Sequence, residues 1–403
     1  MILGNKVKYF FIFSLIFFHV FNLKLNIPPY NLIFIAAILG LLLLVFKNNK
    51  IDCKVVVVSF FIFLQLFFLL LSFLINQNLD FYFFKEIILY EIVSLLSASF
   101  IVKYYFNNRE NRFSDLSYFI FFAVAFQLLI SFLGYVNEGV FNILFSFFNL
   151  GDEDIVNQLS AQRMVGVGAS FFGSGVINCL VLVLIASFIV TEKQASHKNK
   201  LLVLYFVISI LGMLSARTTG VGILISLFLI FSKFNNIKLK FFLILTLIVF
   251  LILIKNTQVF SDSKIGLLLN FSIGFITDFE GSNASNSTSE LMDMYSKVPN
   301  NFKTWLIGDA LYRDGYGYYK GTDVGYSRFT FATGILGLLS YCGLVFYLIF
   351  NIRSERINFL TKVSILFLFL ILMGKGVAIF FPILFLLYLL SPEPSVDNKD
   401  KVL

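Results

Sequence analysis

Charge is scarce in this chain. Asp, Glu, Lys and Arg make up 13% of its 403 residues, about half the ~25% of a soluble domain, which excludes a water-soluble globular enzyme. Histidine is nearly absent: His19 and His197 lie far apart, in or next to apolar segments, and argue against a histidine zinc site or a histidine triad. Cys53, Cys179 and Cys342 are too few and too scattered for a disulfide framework or a metal cluster, and read as packing residues. No P-loop, dinucleotide fingerprint or H-E-x-x-H motif occurs.

Apolar side chains fill the space instead. Hydrophobic residues reach 59%, with 54 Phe, and mean hydropathy is +0.88. One spanning helix uses ~20 apolar residues, so this content supplies on the order of twelve spans. Apolar runs lie near 9–25, 31–46, 55–75, 86–105, 116–136, 169–190, 201–214, 218–232, 239–254, 330–350, 359–373 and 377–390. The first follows Lys6 and Lys8 without a small-x-small cleavage site and reads as an uncleaved span. The expected fold is an all-α polytopic membrane protein of about 12 transmembrane helices, a single transmembrane domain over 1–403.

The net charge of +8 follows the tendency of Lys and Arg to collect in short cytoplasmic loops, so no nucleic-acid partner is implied. With both termini inside, cytoplasmic segments hold Lys47, Lys50 and Lys54, then Lys103, Arg109 and Arg112, then Lys193, Lys198 and Lys200, then Lys233, Lys238 and Lys240, then Arg353, Arg356 and Lys362. The opposite face holds few cations outside one long loop. Between Lys200 and Lys233, two full spans would need about 40 residues, more than the segment offers. A hairpin of short arms, about 14 to 16 residues or roughly 21 to 24 Å each, keeps the alternation. Its apex, Ser215-Ala216-Arg217-Thr218-Thr219-Gly220, then sits below the outer surface. The segment 359–390 repeats the device with Gly374-Lys375-Gly376.

The long hydrophilic stretch, 255–329, is expected as a large periplasmic loop. Ser287-Thr288-Ser289-Glu290 is a capping-box pattern before a short helix that Pro299 would stop. Gly308 to Arg328 is rich in Gly and Tyr and carries Asp309, Asp314 and Asp323. A lesser outer loop, 137–168, holds Asp152-Glu153-Asp154 and Gln162-Arg163-Met164-Val165-Gly166.

Arginine suits phosphate oxygens, since its planar fork donates paired hydrogen bonds and stays charged. Arg163, Arg217, Arg313 and Arg328, with Lys375, are expected together on the outer face, where they would bind a lipid-linked phosphate or diphosphate; pairing with lipid headgroups or acidic loop residues is the plainer reading. Tyr316, Tyr326 and their neighbours with Asp314 suit a sugar, the ring covering C–H surface and the carboxylate accepting hydroxyl protons. An interfacial aromatic belt would look the same. Asp152-Glu153-Asp154 spells a D-x-D, more often a solvated loop than a metal site. Three Asn-x-Ser/Thr matches, at Asn270, Asn283 and Asn286, fit N-glycosylation acceptors by pattern and are accidental if the chain is bacterial. Gln65, Glu91, Gln127 and Asn178 read as interhelical glue.

Three stretches resemble the O-antigen polymerase (Wzy-type) family within the O-antigen polymerase/ligase superfamily: Gln162-Arg163-Met164-Val165-Gly166, the apex Ser215 to Gly220, and the run through Trp305-Leu306-Ile307-Gly308-Asp309, Asp323-Val324-Gly325-Tyr326 and Gly334-Ile335-Leu336-Gly337. The resemblance covers the second half of the chain. It implies a GT-C-like glycosyltransferase, in the broad sense, of the bacterial inner membrane with its active site facing the periplasm. The substrates it implies are undecaprenyl-diphosphate-linked oligosaccharides as donor and acceptor, with membrane lipid and optionally a chain-length regulator as partners and no cofactor. In the ligase branch a histidine of the long loop is held important, and 255–329 has none; Asp323 looks like the matching position. The catalytic residues expected are Asp323 as general base, with Asp314 second, and Arg217 and Arg163 on the diphosphate. Arg313, Arg328, Asp314, Tyr326, Tyr316 and Lys375 are expected to bind substrate. Direct displacement would invert the anomeric centre without a metal. A flippase for lipid-linked oligosaccharides, an O-antigen ligase and a metal-dependent GT-C enzyme using Asp152 and Asp154 stay open as alternatives.

Overall fold

The computed structural model describes residues 2–26, 31–46, 52–78, 80–106, 111–149, 163–168, 171–233, 268, 284–315 and 317–392. Each apolar run expected to cross the membrane forms a helix over most of its described residues, residues 22–25 and 377–380 being non-helical ends; the run 239–254 lies outside the described residues. In chain order the helices are α1 (Ile2–Phe21), α2 (Leu32–Phe46), α3 (Cys53–Asn76), α4 (Phe84–Phe106), α5 (Arg112–Val136), α6 (Glu138–Phe147), α7 (Phe171–Thr191), α8 (Ala195–Ser215) and α9 (Thr219–Lys233). After these come α10 (Ala284–Ser296), α11 (Phe302–Ile307), α12 (Gly325–Asn351), α13 (Phe359–Lys375) and α14 (Phe381–Leu390). Six of them, α3, α4, α5, α7, α8 and α12, are long and apolar enough to cross a membrane. Among the described residues the chain is predominantly helical, with one short strand pair, and is a multi-pass membrane protein.

Polar residues set the helix starts. Asp52 accepts the Lys54 amide at 2.9 Å, Asn358 that of Thr361 at 2.9 Å and Asn301 that of Thr304 at 2.8 Å, each satisfying an N-terminal donor that no helical carbonyl can reach. Outward faces stay apolar, with Phe60, Phe63, Leu74, Phe122 and Leu133 all exposed, as lipid contact requires. Helix α7 is buried on every side and forms the centre of the bundle.

Buried polar groups join helices rather than line a path. Gln65 of α3 donates to Glu91 of α4 at 3.1 Å, and Asn178 of α7 donates to Ser174 and Thr219 at 3.4 Å. His19 bonds Ser97 at 3.0 Å and the Pro382 carbonyl at 2.8 Å. These are the interhelical contacts expected of Gln65, Glu91 and Asn178.

Contacts between connecting segments gather at the two ends of α3 and α12. At one, Lys54 donates to the carbonyls of Tyr388 and Leu389 at 3.4 Å, the Arg353 amide meets Ser391 at 3.1 Å and Arg356 pairs with Glu192 at 3.0 Å. At the other, Asn76 donates to the Gly308 carbonyl and Asn78 to the Asp309 carbonyl, both at 3.0 Å. Basic segments 193–200 and 353–362 thus share an end, opposite to Gly308–Arg328.

Two local expectations need correction. Helix α8 is not a short arm: it has 21 residues and starts in the polar stretch at Ala195, rising about 31 Å, because Lys198 and Lys200 extend past the apolar run without breaking helical bonds. Among the described residues α9 has 15; in the second hairpin α14 is the short arm, with 10. The pattern Ser287 to Glu290 also does not start a helix, since α10 begins at Ala284 and takes those residues into its interior. It ends at Ser296, ahead of Pro299 as expected.

Candidate functional site

The turn between α8 and α9 is seated on the first turns of α7. Ser174 and Ser215 bond through their hydroxyls at 3.0 Å, Thr219 donates to the Gly212 carbonyl at 2.9 Å and the Cys179 thiol donates to the Thr218 carbonyl at 3.1 Å. Small hydroxyl residues let the chain turn this close to a neighbouring helix while keeping its carbonyls bonded. Arg217 is thereby held at the end of α7. The Arg163 guanidinium lies 3.8 Å over the ring of Phe171, the first residue of α7.

Lys375 ends α13, and the next residue abuts α12: a Cβ on Gly325 would come within 2.5 Å of the Gly376 carbonyl oxygen. Only glycine at 325 permits that approach, which brings Lys375 beside Asp323. The charges of Arg163, Arg217 and Asp323 all act on Lys375. Lys375 thus lies within reach of the charges of Arg163, Arg217 and Asp323, each from a separate segment of the chain.

Burial and then Arg217 hold the Arg163 guanidinium down, to about 10, so it stays cationic at neutral pH. Partial withdrawal from water pushes the Asp323 carboxyl up from its ordinary value, while Arg328 and Lys375 pull it back. Its side chain keeps access to solvent. Such a carboxylate can accept a proton, and the cations beside it can hold an anion. Next to the cluster, a cleft of about 260 Å³ lined by Phe21, Val176, Ile177, Val377, Ile379 and Ile383 opens between α1, α7 and α14.

Arg313 and Arg328 are held by another set of partners, although the Arg328 charge also reaches Asp323. Arg313 and Asp314 form a short strand, β1, paired antiparallel with Gly317–Tyr318, β2. Glu86 pairs with Arg313 and lies 3.9 Å from Arg328. The Arg328 guanidinium sits 3.4 Å from the Tyr318 ring centre and 4.3 Å from that of Tyr312, and only 8% of the residue is exposed. Asp80 accepts the backbone amides of Tyr312 and Arg313 at 2.7 and 2.8 Å. Asp314 is exposed at the hairpin tip. Tyr326 donates its hydroxyl to the Leu370 carbonyl at 2.7 Å. Tyr316 and Asp152-Glu153-Asp154 lie outside the described residues.

Sequence reasoning missed Asn76, Asn78, Asp80 and Glu86, which seat the Gly- and Tyr-rich segment against α3 and α4. Nothing local marks them, since their partners lie more than 200 residues away; the only hint was polar side chains crowded between two apolar runs. No family model, curated protein or solved structure matches the chain.

Proposed function

We propose that this chain is a surface-polysaccharide polymerase of the O-antigen type, a glycosyltransferase that moves a growing glycan from undecaprenyl diphosphate onto a lipid-linked repeat unit. The observation that carries the reading is the convergence of Arg163, Arg217 and Lys375 with Asp323 at one end of a membrane-embedded bundle. Fixed cations suit a leaving diphosphate, whose charge grows as the glycosidic bond breaks, and they act most strongly where water is scarce. The neighbouring apolar cleft suits the first isoprene units of its lipid.

In the transfer, the acceptor hydroxyl oxygen attacks the anomeric carbon. The bond from that carbon to the diphosphate oxygen breaks, and its electron pair leaves with the diphosphate, held by Arg217, Arg163 and Lys375. Asp323 takes the hydroxyl proton as general base. A single displacement inverts the anomeric centre. Arg313 and Arg328 serve by holding the tyrosine-bearing segment against Glu86, and Asp314 and Tyr326 contribute to sugar binding. The end bearing Lys54, Arg353 and Arg356 faces the cytoplasm by the charge rule, which puts the cluster on the periplasmic side of the inner membrane.

The test is deletion of the gene in a strain that makes a polymeric surface glycan. Surface material capped with single repeat units is expected. Loss of all surface repeats would point to a flippase and overturn the proposal.

A further inference from the structure

Exposed apolar surface is not confined to the long helices. Along α10, α11 and the residues between them, Met292, Tyr295, Val298, Phe302 and Trp305 all lie open, Met292 at 66% and Phe302 at 79%. Met292 and Tyr295, three apart on α10, share one face, as Phe302 and Trp305 do on α11. Glu290 and Asp293 lie about 100° or more round α10 from both Met292 and Tyr295, at 3.6 residues per turn. The strip is thus amphipathic, on helices too short to span.

Two anchors set what this strip faces. A Cβ on Gly374 would come within 3.0 Å of the Tyr295 hydroxyl, so the end of α10 lies against the last turn of α13. Gly308, which follows α11, accepts a hydrogen bond from Asn76, the last residue of α3, at 3.0 Å. The outward faces of both helices stay apolar up to these contacts: Leu370 and Ile371 on α13 and Leu74 and Ile75 on α3 are exposed. Helix α13 has 17 residues and rises about 26 Å, short of the ~30 Å hydrocarbon core. Measured from the polar turn at 353–358, its Gly374 end therefore lies no further out than the edge of the hydrocarbon. The strip continues the lipid-facing surface instead of standing off in water. Tyrosine and tryptophan belong at that level, and Lys303, exposed beside Phe302, can reach phosphate with its ammonium while its stem stays among acyl chains. We infer that Met292, Tyr295, Phe302 and Trp305 form a membrane-interface foot, inserted among the glycerol and upper acyl groups of the adjoining phospholipid leaflet. Lys297 donates to the Gly321 carbonyl at 3.0 Å and Thr322 to the Met294 carbonyl at 3.4 Å, so the foot ties the stretch leading to Asp323 to the bilayer surface. It does so whatever reaction the chain performs.

Trp305 is the one tryptophan of the chain, and its fluorescence reports on the foot in the native sequence. The experiment reconstitutes the full-length protein in phosphatidylcholine vesicles whose acyl chains carry bromine at a chosen depth. Lipids brominated near the glycerol end are expected to quench Trp305 emission, and lipids brominated near the methyl end to quench it less. Moving the reporter one helical turn back, with Phe302→Trp in a Trp305→Phe chain, is expected to preserve that order. Emission that no brominated lipid quenches overturns the inference: a maximum typical of tryptophan in water would mean that the strip stands clear of the bilayer, and a blue-shifted one that protein covers it. Quenching strongest by the deepest bromines also overturns it, because the strip would then lie in the bilayer core.

Discussion

Gly308 and Gly334 meet back to back: a Cβ on Gly308 would come within 2.7 Å of the Gly334 amide nitrogen, and one on Gly334 within 2.2 Å of the Leu306 carbonyl oxygen. Both have positive φ, +87° and +70°. The contact ties α11 to the break in α12, and so fixes both ends of the Gly- and Tyr-rich segment between them.

Gly334→Ala should therefore destabilise the protein strongly. Its backbone, with φ 70° and ψ −177°, belongs to a region that only glycine occupies readily, and strain there costs about 1–3 kcal/mol before the clash with Leu306 is counted. Thermal unfolding of the purified protein in detergent checks this. A melting temperature equal to wild type would mean that the two glycines do not hold this contact.

Arg217→Ala should lower the transfer rate by about a hundredfold or more, the loss that follows removal of one fixed group aimed at developing negative charge. Asp323→Ala should produce the same single-repeat surface glycan. Because burial raises the Asp323 carboxyl above its ordinary value and the base must be ionised, activity should fall as pH drops through a limb above the usual carboxylate value of about 3.9. Long chains from both variants, with the protein present in the membrane, would remove the site assignment.

Gln65→Leu should cost about 1–3 kcal/mol, because Glu91, fully buried, loses the amide that hydrogen-bonds it. The double variant Gln65→Leu/Glu91→Leu should recover most of the loss, since neither polar group is then stranded. Unfolding temperatures of the two variants give the comparison. A double variant less stable than Gln65→Leu alone would contradict it.

Topology provides an independent check. In a chain with Cys53, Cys179 and Cys342 replaced by serine, a cysteine at Lys320 should react with a membrane-impermeant maleimide applied from outside. One at Glu355 should not. Lys320 lies next to the Tyr318 hairpin and Glu355 next to Arg356, at opposite ends of the bundle, so labelling at 355 alone would invert the proposed orientation.

Composition and period were sufficient for the helices, because a backbone in hydrocarbon must satisfy its own hydrogen bonds and a run of some twenty apolar residues has few other ways to do so. The charge pattern likewise sorted segments 193–200 and 353–362 to one end, as the Glu192–Arg356 pair bears out. Arg217, Arg163, Lys375 and Asp323 could each be picked out as charges beside apolar runs. The sequence put the cations together on the outer face, but how closely they approach depends on Gly325, Ser174 and Ser215, which allow close contact between four separate segments. It gave Arg217 the diphosphate and Arg328 a helper's part, but it could not see what surrounds each of them. Both are arginines near helix ends, but only three-dimensional packing encloses one between Tyr312 and Tyr318 against Glu86 and leaves the other beside Lys375, and a guanidinium's role follows from what surrounds it.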